Sequence, residues 1–228
     1  MARTIRPILT MLVLSLAALP SGAQTLEDYD YANLSFRGVG IDWGTIWPDK
    51  VDATGAWSLR FDLGFLGPAV RIMPTLSYWS SRMKSGELQS VAERLNQLPA
   101  LQEQGVTLTR EDLGTVDWSD VSLTIDTHAV FTLPWDVITY VGAGVGVHAL
   151  NGRGSAIEET FIEDLLDTVT AGVAVMTGAE YDIARNFRLY GELRYTLASD
   201  VRYPGFRFGG ALMLPGGTAA TQQAVGGR

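Results

Sequence analysis

Apolar and polar residues alternate along eight stretches of the chain. In residues 56–67, every second residue from Trp57 to Phe65 is apolar, whereas the intervening positions include Arg60 and Asp62. Side chains of a β-strand point alternately to its two faces, so alternation over about ten residues predicts a strand with one apolar face. The eight stretches are 31–44, 56–67, 70–79, 121–133, 138–150, 172–182, 187–197 and 205–214. We therefore expect an all-β protein.

The connections between these stretches alternate in length. Three are tight turns, with the sequences LGPA, PWDV and IARN, and the others include the long segments 80–120 and 151–171. Short turns at one end and longer loops at the other are typical of outer-membrane barrels. The pattern predicts an eight-stranded antiparallel up-and-down transmembrane β-barrel.

Two of the long loops carry helical patterns. Residues 85–105 place Leu88, Val91, Leu95 and Leu98 on one face before Pro99 interrupts the helix. Residues 155–169 repeat apolar residues at a helical spacing after a Ser155 cap. We expect both segments to form short lids that pack on the barrel rim.

Either face of the predicted strands could point inward. In a soluble barrel the apolar face would fill the interior, and in a membrane barrel it would contact lipid. The membrane alternative is favoured because aromatic residues cluster near the ends of the stretches, as interfacial girdles do. Those expected near the long loops are Trp43, Trp57, Tyr78, Trp79 and Trp118, and those near the short turns are Phe65, Trp135 and Tyr181.

The membrane alternative places many charged residues inside the barrel. A narrow barrel is filled by side chains, and a buried charge is tolerated only when it is paired. We expect a structural polar network that plugs the lumen, made of Arg60, Asp62, Arg71, Asp126, His128, Glu180, Arg188, Glu192, Arg194 and Arg207. Gly142, Gly144 and Gly146 alternate along one strand and would leave room for bulky interior neighbours such as Arg194 or Tyr190.

Composition adds a location and excludes one class of partner. Residues 1–23 have two arginines, an apolar run and small residues at the end, as a signal peptide does. We expect the barrel over 24–214 and a flexible tail over 215–228. The formal net charge is −8, and removal of Arg3 and Arg6 makes it −10, which argues against nucleic acid as a partner. The chain has no cysteine.

Two segments resemble a known family. The stretch ITYVGAGVGVHAL, followed by GAEYDIARNFRLYGELRYTL, is similar to the second half of small OmpA/OmpX-type outer-membrane barrels. The resemblance implies eight antiparallel strands, periplasmic termini, long loops outside the cell and inward Glu192 and Arg194 on the GELRYT strand.

The two histidines do not form an obvious chemical site. A tight turn at PWD would place His128 opposite Gly142 and His148 opposite Ser122, with the histidines roughly 20 Å apart. Ser122 lies too far along its strand from Asp126 and His128 to form a catalytic triad with them. We therefore predict no catalytic, cofactor-binding or metal site.

Several functions remain open. We expect a plugged barrel in the outer membrane of a Gram-negative cell, with a structural or surface-interaction role and outer-membrane lipid and lipopolysaccharide as its partners. The alternatives are a narrow pore or carrier for small or apolar solutes, a lipid-modifying enzyme, and a soluble periplasmic barrel that binds a ligand.

The inward orientation of the charges predicts heat-modifiable migration. In detergent gels of the outer-membrane fraction, the unboiled protein should run faster than the boiled protein, because a closed barrel stays compact. A soluble periplasmic protein without this shift would mean that the apolar face lines a cavity.

Overall fold

The strands form one closed antiparallel sheet. The computed structural model describes residues 28–103, 107–156 and 166–214. The strands are β1 (Gly38–Ile46), β2 (Thr54–Asp62), β3 (Phe65–Gly67), β4 (Val70–Arg82), β5 (Asp117–Thr132), β6 (Ile138–Arg153), β7 (Thr168–Ala184), β8 (Phe187–Ala198) and β9 (Arg202–Met213). Both β2 and β3 pair with β4 as two parts of one strand, and β1 pairs with β9. The predicted eight-stranded barrel is confirmed.

The helical segments are short and belong to the connections. They are α1 (Ser85–Asn96), α2 (Pro99–Glu103) and α3 (Arg110–Leu113), with 3₁₀ turns at Tyr31–Asn33 and Pro134–Asp136. No described helix is long and apolar enough to cross a membrane. The expected signal peptide and tail lie outside the described residues, as do residues 157–165 of the second predicted loop helix.

The apolar face of the strands points outward. Ile41 on β1, Val145 on β6 and Leu193 on β8 each expose more than half of their surface, whereas the charged positions between such residues are buried. Such an outer surface is suited to contact with lipid, because a water-soluble barrel would have polar residues outside and apolar residues inside. The structure is therefore that of a membrane-spanning barrel, and the soluble alternative is wrong.

The first strand begins later than the alternation suggests. Residues 31–37 run beneath the short-turn end of the barrel, where Ser35 N donates to Leu63 O and Arg37 N to Asp62 O. Asp62 also accepts a hydrogen bond from Gly64 N at 2.7 Å, and Gly64 takes a left-handed φ of 77°. This local turn ends β2, so the extended pairing of β1 starts only at Gly38.

The same turn reverses the face of Phe65. Instead of joining the lipid-facing girdle, Phe65 is 4% exposed and lies beneath the Arg37 guanidinium, 5.1 Å from its ring centroid. The prediction for Phe65 is wrong because the alternation of side chains does not continue through the left-handed glycine.

The outward aromatic residues near the long loops form a continuous row. Trp43 lies opposite both Phe208 and Trp57 in the sheet, and the rings of Trp57 and Tyr78 are 5.9 Å apart. At the short-turn end, Trp135 and Tyr181 are also exposed. The five predicted girdle residues among them, Trp43, Trp57, Tyr78, Trp135 and Tyr181, therefore occupy interfacial positions as expected.

Trp79 and Trp118 do not belong to this row. They are 1% and 3% exposed and pack inside the mouth of the barrel, because they occupy the inward positions of β4 and β5. The prediction that they face the membrane interface is wrong. They belong to an apolar cluster, which we call the cap, made of Ile46, Val51, Ala56, Trp79, Met83, Leu88, Val91, Ala92, Leu95, Leu113, Val116, Trp118, Leu150, Ala198, Val201 and Tyr203.

Helix α1 closes this mouth. Its buried residues Leu88, Val91 and Leu95 pack into the cap, as a lid helix should, whereas Leu98 lies beyond the end of the helix and is exposed. Lys84 Nζ donates to Pro48 O and Asp49 O before the helix, and the Asn96 side chain bonds the Leu108 backbone at its end. The lid is thus tied to two loops.

The turn between β5 and β6 predicts a stabilising substitution. Trp135 and Asp136 have φ of 67° and 58°, which L-residues adopt at a cost of about 1–2 kcal/mol. Asp136→Gly should raise the free energy of unfolding by about 0.5–1 kcal/mol in urea titrations in lipid vesicles. The matched Asp136→Ala variant should give no such gain, and equal stabilisation by both would contradict the backbone origin.

Candidate functional site

All ten sequence-predicted lumen residues lie inside the barrel. Each is exposed by 6% or less, and the set comprises Arg60, Asp62, Arg71, Asp126, His128, Glu180, Arg188, Glu192, Arg194 and Arg207. They occupy alternate positions of β2, β4, β5, β7, β8 and β9. The lumen is therefore lined by ionisable groups along most of its length.

Glu180 joins two arginines near the short-turn end. Arg71 Nη1 donates to Glu180 Oε2 at 2.9 Å, and Arg188 Nη1 donates to the same oxygen at 2.8 Å. Arg188 also donates through Nε to Asp182 at 2.6 Å, while Asp62 lies 3.8 Å from Arg71. One carboxylate on β7 thus links an arginine of the adjacent strand β8 to one of β4 across the lumen.

A second pair crosses the middle of the lumen. Arg194 on β8 donates through both terminal nitrogens to Asp126 on β5, at 2.8 and 2.9 Å. Asp126 Oδ2 also accepts from Thr75 at 3.0 Å. The planar guanidinium donates to both carboxylate oxygens at once. This two-bond geometry fixes the relative orientation of the two side chains in addition to neutralising their charges.

A third group contains two carboxylates around Arg60. Its Nε donates to Asp42 Oδ2 at 2.8 Å, and its Nη2 lies 2.9 Å from Glu192 Oε1. Tyr140 donates to Glu192 at 2.8 Å and Tyr190 donates to Asp42 at 3.1 Å. The two phenols therefore supply hydrogen bonds that the single arginine does not.

The neutral imidazole ring of His128 packs between Tyr140 and Arg71. Its ring stacks on Tyr140 with centroids 4.3 Å apart and planes 9° apart. Its Nδ1 lies 3.3 Å from Arg71 Nη2, and because a guanidinium only donates, Nδ1 accepts and the ring proton is assigned to Nε2. Asp126, which the sequence places beside His128, is instead bonded to Arg194.

The polar layer beneath the cap contains Arg207 and His148. Arg207 reaches from β9 to Ser58 on β2 and Ser77 on β4, at 2.6 and 3.2 Å, and forms no ion pair within 4 Å in the described part of the chain. His148 Nδ1 lies 2.8 Å from Asp120 Oδ2. Ser122 is opposite His148, as predicted. Ser122, His148 and Asp120 are all buried beneath the cap.

Several lumen residues escaped the sequence analysis. Asp42 and Tyr140 are buried and bonded to Arg60 and Glu192 of the predicted set, and the buried Asp120 lies against His148. Asp42 could have been found, because Gly38, Gly40, Asp42 and Gly44 share one face of β1 once its start is set at Gly38. Asp120 precedes the apparent start of its stretch by one residue.

The glycines of β6 make room for side chains of β5. A Cβ at Gly144 would lie 2.0 Å from Asp126 Oδ1, and a Cβ at Gly142 would lie 2.7 Å from the His128 ring. The prediction that these glycines create space is confirmed, but the neighbours are Asp126 and His128 rather than Arg194 or Tyr190. Among the described residues, no group of three His, Asp or Glu side chains could hold a metal ion.

Comparison with solved structures places the fold among small outer-membrane barrels. Neisserial surface protein A aligns with a TM-score of 0.51 and 15% identity, over 79% of this chain and 99% of that chain. Ail of Yersinia pestis aligns with a TM-score of 0.47 and 9% identity, over 78% of this chain and 97% of that chain. The N-terminal barrel of Pseudomonas aeruginosa OprF aligns with a TM-score of 0.45 and 12% identity, over 79% of this chain and 99% of that chain.

No protein-family profile and no curated protein matches this sequence. At these identities the likeness is one of fold, and the OmpA/OmpX-type architecture expected from the sequence is confirmed.

The shared carboxylate predicts a large loss of stability on neutralisation. Glu180→Gln leaves Arg71 and Arg188 without their common partner, and breaking a buried pair costs about 3–5 kcal/mol. We expect a loss of that size in urea unfolding followed by tryptophan fluorescence in lipid vesicles. The matched Glu111→Gln change, on the exposed α3, should leave the urea midpoint unchanged. Equal midpoints for the two variants would contradict a structural role of the lumen pairs.

Proposed function

We propose that this chain is an outer-membrane barrel with a plugged lumen, which acts structurally and through its surface loops. The observation that carries the proposal is that ion pairs join nearly opposite walls. Arg194 links β8 to β5, Glu180 links β7 to β4, and Arg60 links β2 to Glu192 on β8. In a barrel of eight strands these side chains fill the interior.

A small cavity in the described part of the lumen supports the same proposal. A cavity of about 20 Å³ lies between Arg60, Arg71 and Arg188 near the short-turn end. A volume of this size holds about one water molecule and is too small for a solute. A carrier or pore would have to break the ion pairs around it before any solute passed.

The cap supplies a second barrier at the opposite end. Trp79, Trp118 and Tyr203 fill the mouth from three different strands, and α1 lies over them. Water and ions avoid a packed apolar constriction, as they do in hydrophobic gates. The platform formed by α1 and its flanking loops is then the part of the protein that meets the outside.

The polar groups of the lumen do not favour catalysis. The Asp120–His148 pair resembles part of a hydrolytic triad, but both side chains are at most 1% exposed and lie between the cap and the arginine network. A lipid substrate would have no path to them. We therefore assign the pair a structural role, and we infer contacts with outer-membrane lipid and lipopolysaccharide through the apolar belt instead.

The plugged lumen predicts electrical silence. The full barrel in planar bilayers should give no steady single-channel currents, because every crossing ion would have to displace buried charge pairs. A variant that lacks residues 85–113, and therefore α1 to α3, should also be silent, because the cross-lumen pairs remain. Steady currents from the intact barrel would contradict the proposal, and currents from the shortened variant alone would assign the barrier to the cap.

A further inference from the structure

The lipid-facing surface differs between the two sides of the barrel. On β9, β1, β2 and β4 it carries the aromatic row with Trp43 and Trp57, together with Ile41 and Phe206. On β5, β6 and β7 many outward positions are small. We call this side the smooth face, and its small members include Thr127, Ala129, Ala143, Ala149, Thr177 and Ala179.

A groove crosses the smooth face. It has a volume of about 730 Å³, begins beside Val70 on β4, passes Ala129, Ala143 and Thr177, and ends at Pro204 on β9. Small side chains let a neighbouring backbone approach closely, and in lipid such packing takes the place of the hydrophobic effect as the source of association.

A row of charges lies on the outward side of the same strands, above the apolar belt. Arg82, Asp117 and Arg153 are direct cross-strand partners on β4, β5 and β6. Their side chains form no ion pair with one another, and within the described ranges neither Arg82 nor Asp117 has a side-chain hydrogen bond. Within the same ranges, Arg153 donates through Nε to Asn151 Oδ1 at 2.9 Å. Among the described residues, the row therefore presents alternating charges that have no ion-pair partner.

We propose that two copies of this chain associate through the smooth face, about a twofold axis that runs parallel to the barrel axis and between β5 and β6. Such an axis brings the same level of both copies together, with β5 of one copy facing β6 of the other. Asp117 of each copy then meets Arg153 of its partner, so that two ion pairs form per dimer. The apolar surfaces around Ala143 pack below them.

The charge row is the reason to assign a second copy to this face. An acyl chain could fill the apolar groove, but it supplies nothing that pairs with both Asp117 and Arg153. A second copy supplies both charges in the complementary order. It also covers the small side chains over an area, whereas a single acyl chain covers only a line.

Cross-linking tests the contact, because the chain has no native cysteine. The full-length Ala143→Cys variant in membranes should form a covalent dimer with a short bismaleimide. The matched Ile41→Cys variant, whose side chain is 60% exposed on the aromatic side, should stay monomeric. Absence of the Ala143→Cys dimer, or equal cross-linking at both positions, would overturn the proposal.

Charge exchange tests the register. In the Ala143→Cys background, Asp117→Arg or Arg153→Asp alone should lower the dimer yield at least fivefold, and the two together should restore it. Faster migration without boiling verifies that each variant is folded, and Asp117→Asn replaces any that is not. An unchanged yield of cross-linked dimer in the single charge variants would disprove the axis between β5 and β6. Native mass spectrometry that finds only monomers with retained lipid would assign the groove to acyl chains.

Discussion

The structure depends on the burial of charge inside a barrel too narrow to hold much water. Removing an ion from water costs several kcal/mol, and only a close partner with further hydrogen bonds offsets this. Arg60 lies between two carboxylates, and Tyr140 and Tyr190 each donate a further hydrogen bond to one of them. Because Asp42 and Tyr190 are 148 residues apart in sequence, such groups meet only once the sheet has closed. Pairing and closure are therefore one event.

Much of the architecture follows from local rules in the sequence. The alternation of apolar and polar residues, together with three tight turns and the long connections between them, predicts the strands. The same alternation, which we call parity, assigns each side chain to one face of its strand and so predicts which charges are buried. The register of β5 and β6 follows from the short turn alone, since His128 faces Gly142 and Ser122 faces His148. Parity failed at Phe65, where a left-handed glycine interrupts the strand and reverses the face.

The partners across the lumen could not be predicted in the same way. Parity assigns a side chain to the interior, but its neighbour from the opposite wall depends on strand tilt and on the length of both side chains. Asp126 thus bonds Arg194 from β8 rather than His128 two residues away, and Arg207 reaches two serines rather than a carboxylate. Trp79 and Trp118 were misplaced because an aromatic residue near a strand end suits either a girdle or an apolar cluster outside the membrane.

The cap gives membrane insertion a direction. Its residues gain free energy from burial only in water, since lipid solvates apolar side chains as well as a protein core does. Residues 83–103 and 107–116 therefore gain this free energy only after they have reached water, and not while they pass through lipid. Once Leu88, Val91 and Leu95 have packed against Trp118, backward passage would require that whole cluster to separate again. The folded loop therefore opposes backward movement, so that the folding of a water-exposed segment holds the transmembrane strands in place.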